Sequence, residues 1–332
     1  MNSIVTIPDQ LIDSYQRRFN YLRLSITEAC NFRCNYCLPD GYCPSNDSPF
    51  LSLQEIDRLS GSFAKLGTEK IRITGGEPLL RKDLADIISC CKGKSGIKTV
   101  AMTSNGYKLP KLLPQLVHSG LDCLNLSADS LRPETFKLIT GHNSLQKVLD
   151  SVELGLELGL RRIKLNAVLM RDSSLQELDS YLDYIRTRPI SLRLIELMRT
   201  NDNHDFFQQQ HVSGQAIVDR LLSSGWRQTK RAADAGPAVE FEHEDYAGRL
   251  GLIMPYSKNF CADCNRLRVS ASGKLHLCLF NKADADLRPL LQNDSQEQLE
   301  HCLIEQVKGK WQGHQLEQNN SGSTKHLAML GG

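Results

Sequence analysis

The sequence predicts an α/β protein, an incomplete (β/α)6 TIM-like barrel followed by a smaller C-terminal α+β region. Three observations carry this prediction. Short runs of β-branched and aliphatic residues recur six times before about residue 200, helical patterns separate them, and the alternation lapses beyond Thr200. Strands joined by helices pair in parallel through right-handed crossovers, and six units fall short of the eight that close a full barrel.

The six strand candidates are Tyr21 to Thr27, Lys70 to Thr74, Thr99 to Thr103, Cys123 to Ser127, Ile163 to Met170 and Ser191 to Met198. Between them Leu53, Ile56, Leu59, Phe63 and Leu66 recur at helical spacing, as do Leu175, Leu178, Leu182 and Ile185, with Ser52 and Ser174 placed to cap those helices. The polar stretch Asn201 to Gln210 and the break at Gly236-Pro237 mark a change of pattern. A division follows, with a core over residues 1–200 and a second region over 201–332. The second region has its own strand candidates, Leu250 to Met254 and Leu267 to Ser270.

Composition narrows the function. With 40% hydrophobic and 23% charged residues in 332, the chain is an ordinary globular protein, and a formal charge of +2 argues against a general nucleic-acid binder. Any anion site is therefore local. No run approaches the roughly 20 apolar residues that span a bilayer, and Asp9 and Asp13 interrupt the N-terminal stretch, so neither an anchor nor a signal peptide is expected. Eleven cysteines fall mostly into two tight sets, which fits metal binding in a reducing cytoplasm better than disulfides. Cys43, Cys90, Cys91, Cys123 and Cys302 are scattered and read as buried or idle thiols.

The first set, Cys30, Cys34 and Cys37, offers three thiolates and no fourth. It suits either a zinc knuckle completed by a remote ligand or a four-iron cluster with one iron open to something that is not protein. The second set, Cys261, Cys264 and Cys278, again offers three, and His276 nearby leaves a Cys3His zinc site as the competing reading. Between its members runs Asn265-Arg266-Leu267-Arg268-Val269. On a strand, the period of two puts both arginines on one face. Such a pair is either a fork for a polyphosphate or a solvated surface stripe.

Barrel sites collect at the C-terminal ends of strands. The second such end reads Thr74-Gly75-Gly76-Glu77-Pro78, where paired glycines admit close backbone approach and the carboxylate can accept from an ammonium. Thr103, Asn105, Ser127, Asp129 and Met198 end further strands. Singly, such residues are caps, turns or core filler.

The cysteine spacing of three and then two, with an aromatic residue before the last, resembles the signature of the radical S-adenosylmethionine enzymes, and Gly75-Gly76-Glu77-Pro78 is similar to their methionine-binding motif. That family has a (β/α)6 core. The resemblance implies a four-iron cluster whose open iron chelates S-adenosylmethionine and whose electron breaks the sulfonium to give a 5'-deoxyadenosyl radical. Adding the second cysteine set, the arginine pair and the terminal Gly331-Gly332, nearly the whole chain resembles the GTP 3',8-cyclase family of molybdenum cofactor biosynthesis.

This narrower resemblance implies a lyase with two [4Fe-4S] clusters, one on Cys30, Cys34 and Cys37 and one on Cys261, Cys264 and Cys278, the second binding the substrate. Carried over by position, Tyr36, Gly76, Ser127 and Met198 contact S-adenosylmethionine. Arg23, Arg72, Thr103, Lys164, Arg266 and Arg268 contact GTP, and Gly331 and Gly332 reach into the active site. Lys164 opens its strand instead of ending it, so its place rests on the resemblance, with a salt bridge to a helix as the alternative. Implied partners are an electron donor such as flavodoxin or ferredoxin, a second copy in a homodimer, and cyclic pyranopterin monophosphate synthase downstream. Neither DNA nor a membrane is among them. A peptide-modifying radical enzyme would carry a larger second cysteine set, and a nucleic-acid-binding regulator a more basic surface.

Overall fold

The computed structural model describes residues 10–44, 49–173, 175–231, 235–292, 295–316 and 327–331. All six barrel runs are strands: β1 (Tyr21–Ser25), β2 (Lys70–Thr74), β3 (Thr99–Ser104), β4 (Cys123–Ser127), β5 (Arg162–Leu169) and β6 (Ser191–Glu196). The later part of the chain adds β7 (Arg227–Gln228), β8 (Val239–Glu242), β9 (Arg249–Ile253), β10 (Arg266–Val269), β11 (Lys274–His276) and β12 (Ala285–Asp286). One sheet contains them all, in the order β12-β11-β10-β1-β2-β3-β4-β5-β6-β9-β8-β7.

The six central strands are parallel and in sequence order, and β10 joins β1 and β9 joins β6 in parallel too. The strand candidates of the C-terminal region therefore extend the barrel's own sheet at both edges instead of building a separate one. Among the described residues β9 and β10 do not pair with each other, so the barrel stays open along that seam.

Ten helices are described: α1 (Leu53–Lys65), α2 (Leu84–Lys92), α3 (Leu109–His118), α4 (Pro133–Thr140), α5 (Leu145–Glu157), α6 (Leu178–Arg186), α7 (His204–Gln210), α8 (Gln215–Ser223), α9 (Arg288–Gln292) and α10 (Gln296–Lys308). Helix α1 starts where the sequence places it. Ser52 Oγ accepts from the Glu55 amide at 3.2 Å while Glu55 accepts from the Ser52 amide at 2.8 Å, a reciprocal cap. Helix α6 begins three residues after Leu175, because the buried Glu177 turns back to accept from Ser130 Oγ at 2.8 Å and ties the loop to the barrel. Ser174 lies outside the described residues. The polar stretch after Thr200 holds α7, a short helix with no buried face that the pattern did not reveal.

The pleat divides each strand between two environments. Leu22, Leu24, Ile71, Ile73, Leu124 and Leu126 are fully buried in one core with Ile56, Leu59 and Phe63 of α1 and Ile87 and Ile88 of α2. Each such side chain contributes about 1.5–3 kcal/mol by leaving water. The alternate residues, Tyr21, Arg23, Lys70, Arg72, Thr103 and Asn125, line the barrel's interior. Of the unassigned thiols, Cys91 and Cys123 are buried, Cys90 and Cys302 partly so, and Cys43 is exposed. Among the described residues no helix is long and apolar enough to cross a membrane.

Candidate functional site

The loop after β1 is fixed from both sides before any ligand arrives. The Arg33 and Asn35 amides donate to Thr140 and Ile139 at the end of α4, each at 3.0 Å, and the amides of Cys37 and Leu38 both turn onto the Cys34 carbonyl. Phe32 is buried and stacks on His142 with centroids 4.8 Å apart. Opposite, the Gly76 and Glu77 amides donate to Thr27 and Ala29 at 2.8 Å. A Cβ on Gly76 would lie 2.3 Å from the Ala29 carbonyl oxygen, so only glycine allows the two loops to touch.

The result is a cavity of about 1070 Å³ of non-protein space, part of it open to solvent, lined by Cys30, Cys34, Cys37, Tyr36, Gly76, Ser127 and Met198 together. Glu77 is not part of that lining. Its buried carboxylate accepts from Leu79 at 3.0 Å, Ser104 at 2.8 Å and the Asn105 amide at 2.6 Å, so it binds the β2 loop to the end of β3 instead of facing a ligand. Burial raises its pKa to about 7. The Tyr36 hydroxyl donates to Asp129 at 2.8 Å, and burial pushes Asp129 up to about 6.

Burial pushes the Cys30 thiol up to about 11 and Cys34 well above its usual range, the latter with help from Asp129. A bound cation must displace these protons, so loading the site with metal releases acid. Three thiols at one cavity, with no fourth cysteine and no histidine in its described lining, fit an iron–sulfur cluster that leaves one iron open.

A second cavity occupies the other end of the barrel, with about 1240 Å³ of non-protein space, part of it open to solvent. It brings together Arg23, Arg72, Thr103, Lys164, Arg266 and Arg268 with Cys261, Cys264 and Cys278. The strand register explains the grouping. Arg268, Arg23 and Arg72 stand side by side across β10, β1 and β2, with Arg266, Tyr21 and Lys70 one step below them. Leu267 and Val269 point the other way, into the core.

Lys164 belongs here because this cavity lies at the strands' N-terminal ends. The rule of C-terminal mouths describes only the cysteine-loop end. Sequence reading missed Tyr21, Lys70, Arg193, Arg17 and Lys310. The first three shared a visible signal, polar residues inside aliphatic strands on the same face as positions already chosen. Arg17 had none. Buried and paired with Asp13 at 2.7 Å, it donates to the carbonyls of Cys261, Trp311 and Gln312, clamping the second cysteine loop to the chain beyond α10.

Crowded cations distort one another. Burial, then Arg193, Arg72 and Lys70, bring Lys164 down to about 6, and burial and Arg266 bring Arg268 to about 10. Burial alone would raise Tyr21, but Arg72, Arg23 and Lys70 overturn it and bring the phenol down to about 7, with Arg72 donating to its oxygen. Burial likewise raises Cys264, yet Arg266, Lys310 and Arg17 leave it near 7. His276, the fourth zinc ligand the sequence offered, does not line this cavity, although His314 does.

The two cavities share Thr103, Asn166, Ile195 and Met198. Against their junction lies the end of the chain. The Gly331 carbonyl accepts from Arg23 and, at 3.3 Å, from Thr74 Oγ1, while the Leu330 carbonyl accepts from Arg268 at 3.4 Å. Leu330 is buried in a small apolar cluster that packs against both Cys37 and Cys278. Gly332 lies outside the described residues. Gly331 has φ +67°, and a Cβ there would sit 2.1 Å from Thr74 Oγ1. Gly331→Ala is therefore expected to undock the last residues at a cost of about 1 kcal/mol or more. Hydrogen exchange should quicken from Ala328 to Gly331 while the global melting temperature barely moves, and unchanged exchange would refute the contact.

The chain matches known proteins along most of its length. The Radical SAM superfamily profile matches residues 24–185 and the Molybdenum Cofactor Synthesis C profile residues 190–316. The GTP 3',8-cyclase of Haemophilus ducreyi is 52% identical over 324 residues, covering 97% of this chain and 95% of that one. The GTP 3',8-cyclase of Yersinia pestis is 50% identical over 324 residues, covering 97% and 99%. Among solved structures, Streptococcus suis SuiB bound to S-adenosylmethionine superposes with TM-score 0.57 at 13% identity, covering 85% of this chain and 66% of that longer one, a likeness of fold. With half of its residues shared along almost its full length, this chain belongs to the GTP 3',8-cyclase family of the radical S-adenosylmethionine superfamily.

Proposed function

We propose that this chain converts GTP to (8S)-3',8-cyclo-7,8-dihydroguanosine 5'-triphosphate, the first step of molybdenum cofactor biosynthesis. The observation that carries the reading is the meeting of a thiol-lined cavity and a cation-lined cavity inside one barrel. When bound, the cluster and S-adenosylmethionine would supply the radical chemistry that removes the hydrogen from C3' of GTP and joins C3' to C8, with one further electron and one proton required to complete the dihydro product.

The chain's own residues do the positioning. Cys30, Cys34 and Cys37 hold the first cluster, and Tyr36, Gly76, Ser127 and Met198 frame S-adenosylmethionine beside it. Arg23, Arg72, Lys164, Arg266 and Arg268, with Thr103 at the junction, hold the nucleotide. Their collective charge has few carboxylates to answer it, Glu240 on Arg193 and Asp13 on Arg17 among them. A polyanion relieves that repulsion, and the guanidiniums suit phosphate oxygens in bidentate geometry. Cys261, Cys264 and Cys278 would hold a second [4Fe-4S] cluster facing the base. Gly331, with Gly332 beyond it, closes the junction from the side. A radical held between apolar walls and fixed partners is shielded from water and aimed at one carbon.

On this reading residues 1–200 generate the radical and 201–332 supply the second cluster and the arginine pair. An electron donor such as flavodoxin or ferredoxin, a homodimer, cytoplasmic residence and delivery of product to cyclic pyranopterin monophosphate synthase rest on family membership.

The test is anaerobic reconstitution with iron and sulfide, then S-adenosylmethionine, dithionite and GTP. About eight irons per chain, with 5'-deoxyadenosine and cyclised nucleotide formed together, is the expected result. Deoxyadenosine without nucleotide conversion would discard the substrate. Arg266→Ala should lower GTP turnover by about tenfold or more, leaving GTP-independent cleavage of S-adenosylmethionine within about twofold, because Arg266 lines only the second cavity. Equal loss of both activities would contradict this division of labour.

A further inference from the structure

We infer that a basic groove outside the nucleotide cavity is the path by which the triphosphate enters. The inference rests on the GTP reading above and adds a second anion site to it. The groove encloses about 1920 Å³ of partly open space along the N-terminal ends of β5, β6 and β9. It shares Lys164, Arg193, Pro237 and Phe260 with the nucleotide cavity, so the two adjoin across those residues.

Charge marks it as an anion path. Its walls carry seven basic side chains against two carboxylates, Glu240 and Asp263, and each carboxylate is already committed, to Arg193 at 2.5 Å and Arg231 at 3.0 Å. Lys230, Arg249 and Lys258 are exposed on the groove's outer part. Arg249 pairs with Glu242 at 3.1 Å, but both partners are half exposed, and such pairs hold weakly. Lys164 and Arg193 stand in the shared wall, 6% and 5% exposed, and Arg193 Nε has no hydrogen-bond partner. A phosphate passing from the groove to the cavity meets these two in turn.

The alternative opening, past Tyr15 and Asn259, does not suit an anion. Its one described cation is Arg17, whose guanidinium is consumed by Asp13 and three carbonyls. Lys230, Arg249 and Lys258 do not line the nucleotide cavity, so they govern arrival and not the grip on bound nucleotide. Clefts lined by one sign of charge raise association rates by roughly 10- to 1,000-fold, with steep dependence on salt.

The experiment is stopped-flow association of GTP with anaerobic, cluster-loaded protein, followed through Trp311, which lines the receiving cavity. The double variant Arg249→Gln/Lys258→Gln should lower the association rate about tenfold at low salt and flatten its salt dependence, with dissociation changed less than about twofold. Lys258→Glu alone should lower it too. An unchanged association rate and salt slope in both variants, or a loss confined to dissociation, would overturn the entry path. Wild-type protein that neither binds nor converts GTP would instead remove the underlying reading, so the two failures are separable.

Discussion

Cys34→Ser is expected to yield no detectable 5'-deoxyadenosine, below about 1% of the wild-type amount, from S-adenosylmethionine and dithionite. The reason is the absence of a spare thiol in the cavity's described lining. The cavity offers three thiols, and a hydroxyl is a harder, poorer ligand for iron than a thiolate. Two remaining cysteines cannot hold a four-iron cluster that also leaves one iron open. The loop itself should survive, since its shape depends on the Arg33 and Asn35 amides on α4 and on the Cys34 carbonyl, none of which the substitution touches. Iron content should fall by about four per chain while far-ultraviolet circular dichroism stays unchanged. Cys43→Ser, at an exposed cysteine that does not line the cavity, is the matched control and should cleave normally. A Cys34→Ser protein that still makes deoxyadenosine at a tenth of the wild-type rate would refute the first cluster's assignment.

The barrel's six strands were legible because parallel strands are covered on both faces and read as apolar runs, and their bounds in the structure differ from the sequence reading by two residues at most. The cap of α1 was legible for a similarly local reason, Ser52 and Glu55 being three residues apart. What the sequence hid is non-local. Nothing near Arg266 announces that β10 will lie against β1, more than two hundred residues earlier, yet that pairing sets Arg268 beside Arg23 and makes a row of arginines from separate motifs. The cysteine sets were plain from spacing. The cavity at the strands' N-terminal ends was not, because a habit of barrels points to the opposite mouth. Glu77 shows the reverse error: a carboxylate in a ligand-binding motif turned inward as a structural tie.

That crowded second cavity makes GTP binding a proton-coupled event. In the free protein Lys164 titrates near 6, brought down by burial and by Arg193, Arg72 and Lys70 against the weaker pull of Glu240, so above pH 7 it is largely neutral. Tyr21 titrates near 7, and by pH 8 most of it is phenolate. A triphosphate placed among these groups reverses both effects. Negative charge favours the lysine's ammonium and disfavours the tyrosine's phenolate, driving each toward its ordinary value near 10. Both shifts have the same sign, so between about pH 7 and 10 binding takes up as many as two protons. Affinity then weakens as pH rises, by up to about tenfold per unit for each proton. Calorimetry at about pH 8, where phosphate is fully ionised, in buffers of different ionisation enthalpy measures the uptake directly. Lys164→Met should remove about one proton from it and flatten the affinity profile, whereas Asn125→Ala, on the strand beside Lys164 but without a titratable group, should leave the uptake intact. Binding that takes up no proton at pH 8 would mean that the triphosphate does not sit against Lys164 and Tyr21, and would move the phosphates toward Arg266 and Arg268 alone.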